Sequence, residues 1–153
     1  MTNQNEALPL TPSPYDALLL DRQLCFPLYA CAREVVKRYK PYLDELDLTY
    51  TQYVVMLVMW EKRALTSREL GEKLHLDSGT LTPVLKKLEQ KGLLSRGRFE
   101  ADERNLMLEI TSAGLLLREQ AINVPRQMAQ CMPLEPREAL ELHALLTKLL
   151  KTI

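Results

Sequence analysis

Apolar residues recur along this chain with two different periods, and the switches between them lay out its elements. From about residue 18 to 46, Leu24, Leu28, Ala32, Val35, Tyr39, Leu43 and Leu46 return every three or four positions, which predicts a helix. Pro27 and Pro41 fall inside that stretch, so a helix start or kink is expected near each. Thr49 and Gln52 have capping-box spacing, and the run from Tyr53 to Trp60 is apolar all round, which places the helix it forms in the middle of the domain. Leu65 predicts a short strand. Thr66 with Glu69 caps a further helix whose inward stripe is Leu70 and Leu74. Leu76-Asp77-Ser78-Gly79 breaks the pattern, and a second helix follows with Leu81, Val84, Leu85 and Leu88 inward and Gly92 placed to end it.

The period then shortens to two. Residues 93–98 alternate weakly, Glu100-Ala101-Asp102-Glu103 predicts a turn, and residues 106–110 return as a strand. Thr111 caps a helix through Leu115, Leu116 and Leu117 toward Met128 and Cys131, with a bend at Pro125. After a joint at residues 133–136, a last amphipathic helix over about residues 136–151 gathers Leu140, Leu142, Leu145, Leu146, Leu149 and Leu150 on one broad face. The order helix, helix, hairpin is the winged helix-turn-helix. The fold class is therefore mainly α with a small β-ribbon: a winged helix-turn-helix over about residues 50–110, flanked by helices over about 16–48 and 111–153. Those flanking helices exceed what the winged module needs for its own core, and a second copy of the chain would cover them economically. Residues 1–15, with Pro9, Pro12 and Pro14, are expected to be a mobile tail, and residues 16–153 one domain.

Composition narrows the class. Hydrophobic content of 46% excludes wholesale disorder. No apolar run approaches the roughly 18 residues a membrane helix needs, and Leu18-Leu19-Leu20 is too short for a signal-peptide core, so a cytoplasmic protein is expected. The formal charge is zero, yet from Lys62 to Arg104 there are 10 Lys/Arg against 7 Asp/Glu. That excess is compatible with a nucleic-acid surface. Cys25, Cys31 and Cys131 form no zinc-like ligand spacing and no even framework, which fits free thiols. No cofactor or metal is implied, and His75 and His143 stand alone.

Opposite its apolar stripe, the second helix of the pair carries Ser78, Thr80, Thr82, Lys86 and Lys87, with Pro83 early enough that its missing N–H costs little. Hydroxyls and free N–H groups at a helix start can hold phosphates and reach base edges, and lysines neutralise the backbone. For such a helix alone, an ordinary solvated face is at least as good a reading. The ribbon shifts the balance, because Arg96, Arg98 and Arg104 put cations where a wing meets the minor groove or phosphates. Double-stranded DNA is the expected partner. From composition alone, Cys25 and Cys31 both read as small packing residues, and Tyr39 and Tyr50 as core phenols.

The element order together with Asp102-Glu103-Arg104 in the wing resembles the MarR family of dimeric bacterial repressors. The segments LDRQLCFPLYA, LTYTQYVVMLVMWE and LDSGTLTPVLKKLE resemble its organic hydroperoxide resistance regulators, the OhrR branch, and the likeness covers about residues 20–131. That resemblance implies a peroxide-sensing cysteine at Cys25, hydrogen-bonding tyrosines at Tyr39 and Tyr50, and a resolving cysteine at Cys131. It also implies a homodimer on a pseudo-palindromic operator, with organic hydroperoxides as effector and wing residues Asp102 and Arg104 at the DNA. Pro27 departs from the small or aliphatic residue expected two positions after the sensor. An ordinary thiol, with a pKa of about 8.5, is only a few per cent ionised near pH 7. A helix N-terminus and two phenol donors would favour the reactive thiolate. Apolar Leu24, Phe26 and Leu28 would favour an alkyl or acyl peroxide. Two rival readings are a MarR-type repressor answering a lipophilic or phenolic ligand and, more distantly, a thiol peroxidase enzyme.

Overall fold

The computed structural model describes residues 13–99 and 102–152, except for the side chains of residues 98–99 and 102–105. Its described residues form two compact units that divide between Lys37 and Arg38. In the first unit, Ser13 caps a 3₁₀ turn over Pro14–Leu18 through its hydroxyl, which accepts from the Tyr15 N–H at 3.2 Å, and a second turn covers Leu20–Arg22. The last residues of the expected tail are thus already in a turn, and residues 1–12 lie outside the described residues. Helix α1, Cys25–Asp44, begins within two residues of Pro27, where the ring's lack of an N–H is harmless, and continues through Pro41 to end three residues later.

In the second unit, α2 (Tyr50–Lys62) is the centre of the core. The expected Thr49/Gln52 capping box is present, and Tyr53, Val55, Met56, Val58, Met59 and Trp60 are buried. Strand β1 (Ala64–Thr66) leads into α3 (Ser67–Leu74), capped by the Thr66/Glu69 box. His75 takes the left-handed conformation at φ 53°, which turns the chain sharply into α4 (Ser78–Gln90). Leu70, Leu81, Leu85 and Leu88 bury the inward faces of this pair, with Leu74 and Val84 packed beside them. Gly92, at φ 70°, stops α4, a conformation that costs a side-chain-bearing residue more.

Strands β2 (Leu94–Phe99) and β3 (Asp102–Ile110) pair antiparallel, with Leu94 opposite Ile110 and Arg98 opposite Leu106, and β1 joins the far edge of β3 in the order β1-β3-β2. The ribbon's second strand is longer than the expected residues 106–110. The expected turn includes residues 100 and 101, which lie outside the described residues. Helix α5 (Ser112–Ala121), capped by Thr111, fixes the base of the ribbon: the Thr111 hydroxyl donates to the Gly92 carbonyl at 2.6 Å, and the Trp60 Nε1–H donates to the Gly114 carbonyl at 2.8 Å. The single bent helix expected through Pro125 is two helices. Helix α6 (Val124–Gln130) starts afresh with Pro125 in its first turn, a position that suits proline, and α7 (Pro136–Leu150) follows as expected. Among the described residues, no helix is long and apolar enough to cross a membrane.

Candidate DNA-binding surface and thiol site

Ser78, Thr80, Thr82, Pro83, Lys86 and Lys87 are all exposed on α4, on the side opposite its buried leucines. The helix start is organised by Asp77, one of the four residues that break the pattern between α3 and α4. Its carboxylate accepts from the Thr80 N–H at 2.9 Å and from the Thr80 hydroxyl at 2.9 Å. Those hydrogen bonds, the backbone one foremost, hold the Asp77 carboxyl below its ordinary range. The Thr82 hydroxyl donates to the Ser78 carbonyl at 2.7 Å. With both protons used inside the helix, Thr80 and Thr82 present lone pairs outward, so they suit base amino groups better than phosphate oxygens. Lys86 and Lys87 have no ion-pair partner among the described residues, whereas Lys91 is tied back to Asp47 at 2.9 Å.

The cap has a pH signature. A carboxyl held below its unfolded value stabilises the helix above about pH 4, and this contribution fades as the pH falls through the lower folded value. Asp77→Ala is therefore expected to lower the melting temperature at pH 7, and the difference from the wild type should shrink as the pH falls below about 4 and through the lower folded value. Calorimetry of both proteins across that range checks it, and a pH-independent gap would assign the loss to packing.

On the wing, Arg96 Nε donates to Glu89 Oε2 of α4 at 2.7 Å, and Nη2 reaches the same oxygen. The pair holds the Glu89 carboxyl below its usual range and fastens the ribbon to the reading helix, so the Arg96 cation is paired internally with Glu89. Arg98, Asp102 and Arg104 lie on the strands beside the tip, and their side chains lie outside the described residues. Residues of α3, the start of α4 and the ribbon line an open cleft of about 440 Å³, among them Ser67, Arg68, Glu72, Ser78, Thr82 and Arg96.

Cys25 is the first residue of α1 and is exposed in the first unit, where neighbouring Arg22 is paired with Asp16 at 3.2 Å. A sulfur at that position faces the positive end of the helix dipole. Tyr39, Tyr50 and Cys131 belong to the second unit. The rings of Tyr39 and Tyr50 lie 5.0 Å apart and Tyr53 lies 5.7 Å from Tyr39. Burial, then the neighbouring phenols, raises the Tyr39 hydroxyl and pushes Tyr53 to about 12, so both remain protonated donors at neutral pH. Cys131 ends α6 half-buried, with its sulfur 3.5 Å from the Tyr42 hydroxyl and its carbonyl accepting from Arg38 Nη1 at 2.9 Å. Neither Arg38 nor Tyr42 stood out in the sequence; their only local signal is a spacing of four on one helix. Cys31 is exposed on α1, contrary to its reading as a packing residue. All three cysteines are free thiols.

Residues 37–119 match the family described as transcriptional regulator SarA/Rot. The chain is 45% identical over 139 residues to the organic hydroperoxide resistance transcriptional regulator of Bacillus subtilis, covering 91% of this chain and 95% of that protein. Among solved structures, reduced AbfR bound to DNA superposes with a TM-score of 0.75 at 35% identity, covering 87% of this chain and 91% of that one; AbfR is a protein of Staphylococcus epidermidis. Disulfide-formed AbfR superposes with a TM-score of 0.59 at 35% identity, covering 87% and 88%. A mutant MarR from Escherichia coli complexed with operator DNA shares the fold at a TM-score of 0.73 and 22% identity, covering 91% and 99%. With its winged helix-turn-helix, exposed polar reading helix and this likeness over nearly its whole length, the chain belongs to the MarR/SarA family of DNA-binding transcription regulators, which are not enzymes.

Proposed function

We propose that this regulator is a homodimeric repressor that organic hydroperoxides release from its operator through Cys25. The observation that carries the reading is the position of Cys25: exposed at the first residue of α1, where a peroxide can reach the sulfur from solvent. The name of the Bacillus relative supports the effector class, and the existence of a disulfide-formed state of AbfR supports a thiol switch. The dimer is supported by apolar surface that a lone chain leaves in water: Leu140, Leu145 and Leu149 on α7 and, separately, Leu24, Phe26 and Tyr29 near the start of α1 are all exposed. A two-fold pair would set two α4 helices about 34 Å apart, one turn of DNA, with Ser78, Thr80, Thr82, Pro83, Lys86 and Lys87 in the major groove and Arg96, Arg98, Asp102 and Arg104 at the wing.

The chemistry balances in two steps. The Cys25 thiolate attacks the terminal oxygen of the hydroperoxide, the O–O bond breaks, and the alkoxide leaves and takes up a proton, giving an alcohol and a sulfenic acid. The Cys131 thiolate of the partner subunit then attacks that sulfur, hydroxide leaves as water after protonation, and the disulfide forms. In this reading Tyr39 and Tyr50 serve as hydrogen-bond donors to the sensor sulfur, as the resemblance to the hydroperoxide regulators implies. A disulfide needs Cα atoms within roughly 7 Å, so if the reduced dimer holds the two cysteines farther apart, forming it moves the helices that carry them and re-spaces the reading heads. Organic hydroperoxide should therefore convert the wild type to a covalent dimer on non-reducing gels and leave Cys131→Ser monomeric on the same gels. A covalent dimer from Cys131→Ser would remove Cys131 from the switch.

The cleft between α3, α4 and the ribbon supports a second reading, release by a small lipophilic ligand, since its volume falls in the range of ordinary ligand sites. Operator release by such a ligand from a Cys25→Ser protein would support it over the thiol switch.

A further inference from the structure

We propose that Tyr42 and Arg38 are positioning residues for the second step, clamping Cys131 from α1 so that its sulfur is held back until the sulfenic acid forms. The inference rests on the assignment of Cys131 as resolving thiol made above. Arg38 and Tyr42 are one helical turn apart and so share a side of α1. Arg38 Nη1 donates to the Cys131 carbonyl at 2.9 Å, and the Tyr42 hydroxyl lies 3.5 Å from the Cys131 sulfur. The two contacts therefore grip one residue at both ends, main chain and side chain.

The place of Cys131 in the chain makes such a grip consequential. It ends α6, a helix of 7 residues, and its carbonyl is among those a helix leaves without an internal partner. A guanidinium at that position satisfies the carbonyl and complements the negative end of the helix dipole. Beyond Cys131 the chain passes Pro133 before α7 begins at Pro136, so the segment has few helical hydrogen bonds of its own. The hydrogen bond with Cys131, then the charge of that thiol, raises the Tyr42 phenol above its ordinary value. The phenol therefore stays protonated, and it shares with the Cys131 sulfur one hydrogen bond in which either atom can donate.

A sulfur hydrogen-bonded to Tyr42 has to break that contact before it can attack Cys25. The clamp thus sets the rate of disulfide formation without touching the peroxide step. It separates the two chemical events in time. Removing the phenol hydroxyl should speed the second step by about 3- to 10-fold, the kinetic equivalent of one ordinary hydrogen bond.

Reduced wild-type, Tyr42→Phe and Arg38→Met proteins, each given one equivalent of cumene hydroperoxide, test this by two readouts over time: sulfenic acid trapped with a dimedone reagent, and covalent dimer on non-reducing gels. Sulfenic acid should form at the wild-type rate in both variants, while covalent dimer appears several-fold faster and less sulfenic acid is trapped. In a Cys25→Ser, Cys31→Ser background, N-ethylmaleimide should also modify Cys131 faster once Tyr42 is Phe, a change that a purely structural role predicts only alongside a lowered melting temperature. Wild-type rates of both dimer formation and alkylation in the two variants would overturn the clamp alone. A wild-type protein that forms sulfenic acid but no disulfide would instead overturn the assignment of Cys131, and the clamp with it.

Discussion

Serine at position 25 is expected to leave operator affinity within about twofold of the wild type and to abolish release by organic hydroperoxide. The side chains are nearly isosteric and Cys25 is exposed, so the exchange leaves no cavity and disturbs no core packing. What changes is nucleophilicity: a serine hydroxyl at the same helix start is not ionised near neutral pH and does not open a peroxide bond. Nor does the swap alter any residue of α4 or the wing. Fluorescence-anisotropy titration of an operator duplex, before and after a stoichiometric dose of cumene hydroperoxide, separates the two effects. Retained release in the serine variant would refute the sensor assignment, and lost affinity without peroxide would show that Cys25 has a structural duty instead.

A side chain at Gly114 is expected to be among the most damaging single changes in the fold. A Cβ there would overlap the Leu93 carbonyl oxygen, with the Leu93 carbonyl carbon 3.1 Å away and Ile110 Cγ1 2.8 Å away. The first obstacle is backbone at the base of the wing, which does not swing aside as a side-chain tip would. Gly114 also offers its carbonyl to Trp60 and its N–H to the Thr111 hydroxyl at 3.0 Å, so the helix end cannot slide without breaking both. Overpacking of this sort costs about 1–3 kcal/mol, or more for larger side chains. In a chain of this size each kcal/mol is worth roughly 2–4 °C. Gly114→Ala should thus lower the melting temperature by up to roughly 12 °C and Gly114→Val further, and operator binding should weaken because β2 starts one residue after Leu93. A melting curve within a degree of wild type would mean that the wing base yields more freely than its hydrogen bonds imply.

Local rules made the fold legible. The boxes at Thr49/Gln52 and Thr66/Glu69, the stop at Gly92, the strand around Leu65 and the leucine-rich last helix all follow from residues within a turn or two of each other, and each is present. The break between α5 and α6 was hidden because apolar periodicity continues across Ile122 and Asn123, and a proline inside a periodic run reads equally as a bend or a fresh start. At the candidate site the sequence showed residue types but not partners. Arg96 is visible as a cation, yet its neutralisation by Glu89 depends on how the ribbon folds against α4. The contacts of Cys131 lie 89 and 93 residues away along the chain, beyond any local pattern. Resemblance singled out Cys131; only tertiary structure shows what holds it.

The indole bonded to Gly114 is also the chain's sole tryptophan. It is 9% exposed and lies 6.3 Å from the Tyr53 ring, close enough for ultraviolet light absorbed by that phenol to re-emerge from the indole. Its emission colour is governed by whether the ring nitrogen keeps a carbonyl or meets water. The protein therefore carries a built-in dye at the joint between its central helix and the root of its wing, readable without labels while operator is bound and released.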